Sequence, residues 1–100
     1  ISFSKEAQIE MERMEQVLQL LFEILEREDR GTADWMIRVA QLEQNIDDMT
    51  LQYKETHLNR MKQGQCSEEA CIVYSEMLTD FERIGDHVLN IAQEMQRIHS

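Results

Sequence analysis

Apolar side chains recur in alternating steps of four and three along most of this chain, and no proline interrupts them. The first run is Ala7, Met11, Met14, Leu18, Leu21 and Leu25. The second is Trp35, Val39, Leu42, Ile46, Met49 and Tyr53. The third is Ala70, Tyr74, Met77, Phe81, Ile84, Val88, Ile91, Met95 and Ile98. Helices packed nearly along one another bury that spacing, and strands cannot. Gly31 and Gly64 fall between the runs, and Ser4, Thr32 and Ser67 stand where N-caps belong. The pattern predicts helices over about 4–28, 32–63 and 67–98. Short connections make neighbours antiparallel. The expected fold is therefore all-α, an up-down-up bundle of three long helices forming one domain over 1–100.

The formal net charge is −10. Nucleic acid needs clustered Lys and Arg to neutralise its phosphates, so it is excluded as an expected partner. Cations are the favoured small ligands. No apolar run is long enough to span a membrane, and no signal peptide is present. The chain opens on Ile1, which reads as a piece of a longer protein. Cys66 and Cys71 lack the C-x-x-C spacing of zinc or redox sites and read as two reduced thiols. His57, His87 and His99 have no nucleophile beside them at helical spacing, and no phosphate-binding glycine loop occurs, so an enzyme is not expected.

A second apolar row, Leu78, Gly85, Leu89 and Ala92, runs beside the main stripe of the third helix, and Ile37 and Leu51 lie off the stripe of the second. Three helices cannot bury both sides of each. Docking to a second copy or a further domain is expected on these residues.

Two Glu-x-x-x-Asp patterns stand out: Glu43 with Asp47, and Glu82 with Asp86. Carboxylates at i and i+4 stack on one helix face and repel; a bound cation reverses the sign. Glu43 and Glu82 each lie roughly 100° from a core reference, Leu42 and Phe81, and Asp47 and Asp86 roughly 140°. The pairs thus share one side of the hairpin. A turn near Gly64 brings Glu43 level with Asp86 and Asp47 level with Glu82. Oxygen donors alone suit hard cations such as Mg, Ca, Mn or Fe. An acidic solvated face is the other reading. Asp48 and His87 adjoin the four as further possible ligands. Glu10, on the first helix, reads as unrelated to these four, so a change there is expected to leave both the cation response and the metal-free stability unaffected. Arg83 reads as an ordinary helical ion pair with Asp80 or Asp86, with anion binding as the other reading. Gly85, in mid-helix, implies a close approach.

Asp80-Phe81-Glu82-Arg83-Ile84-Gly85-Asp86-His87-Val88-Leu89-Asn90-Ile91-Ala92 closely resembles the signature of PhoU-type domains. Gln93 stands where that family usually has an acid, and Glu43 and Asp47 match the motif of its preceding helix. The resemblance implies a single three-helix repeat, spectrin-like in outline. It also implies a metal held by Glu43, Asp47, Glu82 and Asp86, with Arg83, Gly85 and Asn90 as motif neighbours. Fe, Mn, Mg, Zn and Ca are not distinguished, nor is a metal-free state excluded. It further implies regulation of bacterial phosphate transport rather than catalysis. The implied setting is cytoplasmic, at the membrane face, as in the C-terminal regions of sodium/phosphate cotransporter-family proteins. The implied partners are a second copy or second repeat and a transporter membrane domain. The alternative is a metal-free helical interaction or dimerisation module.

Overall fold

The computed structural model describes residues 1–99. Three helices follow in order: α1 (Lys5–Leu25), α2 (Ala33–Lys62) and α3 (Glu68–His99). They form an all-α, up-down-up bundle. The boundaries follow from local chemistry. The Ser4 hydroxyl accepts from the Ala7 N–H at 3.1 Å, Thr32 from Trp35 at 3.3 Å, and Ser67 from Ala70 at 3.1 Å. Each satisfies a donor that a helix start leaves unpaired. α2 ends in a Schellman turn. Gly64 takes the left-handed conformation at φ 67°, and the Gln65 N–H reaches the Arg60 carbonyl at 2.8 Å. Gly31, at φ 88°, turns α1 into α2 against the last turn of α3; a Cβ there would lie 2.8 Å from His99 Cβ.

α2 and α3 pack closely along their length, and α1 lies on α2 while touching α3 more lightly. Trp35 is fully buried, and its indole N–H donates to the Ile24 carbonyl at 2.7 Å, tying α2 to the end of α1. Between α1 and α3 an open groove of about 360 Å³ has Met11, Met14, Leu18, Met77, Phe81 and Ile84 as its apolar lining and Glu12, Glu15 and Asp80 at its rim.

Two expectations are corrected. The row Leu78, Gly85 and Ala92 is buried inside the bundle, and Leu89 packs against the core. Ile91 and Ile98, expected inside, are 48% and 76% exposed. The buried residues Tyr74, Leu78, Phe81, Gly85, Val88 and Ala92 keep the same four-three spacing, so from Leu78 onward the core seam of α3 runs along this neighbouring row, with Met77 and Ile84 at its edge and Ile91 outside it. The row therefore supplies no docking face, whereas Ile37 and Leu51 on α2 are exposed. Second, the cysteines are not free thiols: Cys66 and Cys71 form a disulfide with their Cα atoms 6.0 Å apart. Ser67 caps α3 between them, so Cys66 lies just before the helix and Cys71 in its first turn, within bridging reach.

A buried polar network closes the Gly64 end. Glu10 is 5% exposed and accepts from Arg60 Nη2 at 2.7 Å, from the Tyr74 hydroxyl at 2.5 Å and from Thr56 at 2.8 Å. Arg60 also donates to Glu6 and lies over the Tyr74 ring. Three helices meet at one carboxylate. His57 is buried beside it, with Nε2 3.0 Å from the Cys71 carbonyl. Burial, the largest influence, lowers the His57 pKa and favours the neutral ring.

Candidate metal centre

Glu43, Asp47 and Asp86 converge on one side of the α2–α3 hairpin. One carboxylate oxygen from each lies within 4.8 Å of the others. Glu43 and Asp47 are half-buried and Asp86 is exposed. The register explains the grouping. Gly85 faces Ile46 across the hairpin. Counting one residue against one from that contact, Asp86 comes level with Asn45, midway between Glu43 and Asp47. Glu82 comes level with Met49, two residues beyond Asp47 and so about 3 Å further along the axis. Its carboxylate instead lies 3.7 Å from Lys54 Nζ. Three of the four expected acids meet, and the fourth faces a lysine.

The neighbours resolve individually. Asp48 is exposed and accepts from Gln44 Nε2 at 3.0 Å, and it is not part of the trio. His87 and Asn90 are exposed and also lie outside it. Arg83 makes no ion pair with Asp80 or Asp86; it borders an open hollow with Ser75, Glu76, Thr79 and Asp80. Gly85 is buried under Ile46, whose Cγ2 would stand 3.1 Å from an added Cβ. Lys54 is not among the residues expected at this face. Its signal is positional: it follows Asp47 by two helical turns and so shares its face.

Glu43 registers the crowding. Partial burial first, then the Asp47 carboxylate and then Asp86, push its pKa up to about 7. Without a cation the cluster holds a proton near neutral pH, since like charges at this spacing resist full ionisation. The donor set fits a hard cation, because every donor is a carboxylate oxygen and none is a thiolate or imidazole. When bound, such an ion would offset the mutual repulsion of the three acids and tie α2 to α3.

A family model described as "PhoU domain" matches residues 10–95, which takes in most of α1 as well as α2 and α3. The chain is also similar to the phosphate-specific transport system accessory protein PhoU homolog 1 of Thermotoga maritima, with 30% identity over 79 residues. That alignment covers 79% of this chain and 33% of the relative, so the chain spans about a third of the curated protein it matches. No solved structure matches. With the family model spanning all three helices, the chain belongs to the PhoU domain family.

Proposed function

We propose that this domain regulates inorganic phosphate transport, without catalysing a reaction, and does so as a cation-dependent element. The supporting observation is the meeting of Glu43, Asp47 and Asp86 from two helices at a stretch that carries the PhoU signature. The name of the Thermotoga maritima relative, an accessory protein of a phosphate-specific transport system, supports the transport assignment. The narrower setting is the cytoplasmic face of a bacterial membrane, attached to a sodium/phosphate cotransporter-type membrane domain, with a second copy or PhoU-type repeat beside this one. Among the described residues no helix is long and apolar enough to cross a membrane.

Thermal melting with Mg, Ca, Mn, Fe and Zn tests the cation reading. At 100 times the dissociation constant the gain is about 2.7 kcal/mol by ligand linkage. Asp86→Asn removes most of that gain and stabilises the metal-free protein slightly by relieving repulsion. Because Glu43 takes up a proton near pH 7, cation binding there releases protons, and the gain fades on acidification. A melting temperature that none of the ions moves favours the second reading, a metal-free interaction module. One observation supports that alternative: Lys54 and the Glu43 proton already offset part of the acidic charge.

A further inference from the structure

Gly85 occupies the middle of α3, a position where glycine is the least favourable residue short of proline. Its backbone does not require it: positive φ among the glycines occurs only at Gly31 and Gly64. What Gly85 permits is a close approach. A Cβ at this position would lie 3.1 Å from Ile46 Cγ2 and 3.3 Å from Ile46 Cδ1. Ile46 is itself fully buried, so its side chain has little room to retreat in a closely packed interior. The contact is also placed at the centre. Asp47 follows Ile46 and Asp86 follows Gly85, so this close contact of the α2–α3 seam is one residue from two of the three converging carboxylates.

We propose that Gly85 is a positioning residue for the cation centre: the socket it leaves for Ile46 sets the helix separation at which Asp86 reaches Glu43 and Asp47. This rests on the cation reading above. Adding one methyl group at Gly85 obliges Ile46 to give by a few tenths of an ångström. Carboxylates on opposite helices then move apart together. Oxygen-donor sites respond to such displacements: loss of a residue that orients ligands commonly weakens metal binding 10–100-fold. Fold stability responds less, because alanine's better helix propensity offsets part of the packing cost.

Calorimetric titration of Mn²⁺ into the protein, Gly85→Ala, Gly85→Ala/Ile46→Val and Gly85→Ala/Ile46→Ala tests this, with melting of each metal-free form alongside. Gly85→Ala is expected to bind about 10-fold more weakly, with its metal-free melting temperature close to that of the parent. Ile46→Val removes Cδ1 alone and Ile46→Ala removes Cγ2 as well, so recovery of affinity should be graded, partial and then larger. If the alanine pair fails to fold, the valine pair still carries the comparison. Equal affinity in Gly85→Ala overturns the proposal. So does weakened binding that neither Ile46 change restores, or a loss of affinity matched by a collapse in metal-free stability. A parent that takes up no Mn²⁺ removes the cation reading itself, a result distinct from a parent that binds and a Gly85→Ala variant that binds equally well.

Discussion

Glu10 accepts hydrogen bonds from three side chains on the two other helices. Burial alone would raise its pKa, but hydrogen bonds from Arg60, Tyr74 and Thr56 outweigh that and lower it below 4.5. A depressed carboxylate contributes stability that is fully present above the unfolded value and is lost as pH falls through the folded one. Acid unfolding should therefore begin below about pH 4.5, and Glu10→Ala should flatten that limb of the curve. The same change leaves buried Arg60 with Glu6 as its one carboxylate partner beside the Tyr74 ring, and should cost about 3 kcal/mol in urea unfolding at neutral pH. Thr50 predicts the opposite sign. Its hydroxyl is buried and has no hydrogen-bond partner among the described residues. Thr50→Val keeps the shape and removes the desolvated oxygen, so stability should rise by about 1 kcal/mol. A loss in the same assay would mean that the hydroxyl is satisfied in solution.

The elements were largely legible in the sequence because their signals are local. Three caps, two glycine turns and the periodic stripes all lie within a few residues of what they specify. The trio of acids was half legible: register about Gly64 brought Glu43 and Asp86 together, but the offset set by Gly85 on Ile46 moved Glu82 toward Lys54. Such an offset is decided by packing across the seam, and a heptad row does not carry it. The Glu10–Arg60–Tyr74 network was invisible for the same reason: its members lie 50 and 64 residues apart. Nor did spacing rules for C-x-x-C reveal the bridge across the α3 cap. That disulfide closes a loop of only a few residues, so its chain-entropy contribution is about 2 kcal/mol. The Ser67 cap and the Schellman turn hold the same corner without it. Reduction should therefore leave the helical circular dichroism unchanged and lower the unfolding free energy by no more than that amount. Loss of helicity on reduction would show that the bridge is indispensable, and would sit poorly with a reducing cytoplasmic setting.

At the scale of the whole molecule, the bundle is a rod of 52 × 17 × 16 Å with 6708 Å² of accessible surface. A compact protein of 11.9 kDa exposes about 5,900 Å² by the usual size scaling. The excess approaches the roughly 800 Å² per partner of a standard interface. Part of it is apolar: Ile37 and Leu51 on α2 are 56% and 72% exposed. A protein of this shape has surface to give to a second PhoU-type unit, and a second copy is the simplest one to test. Charge opposes that pairing, since each chain carries a formal −10. Screening shortens the reach of such repulsion from about 30 Å at 0.01 M salt to about 3 Å at 1 M. Self-association should accordingly strengthen as salt rises, the reverse of a contact built on opposite charges. Sedimentation equilibrium across that range measures it, with Leu51→Glu expected to weaken the dimer at every salt concentration. A monomer at 1 M salt and high protein concentration would eliminate the second copy as the occupant of this surface.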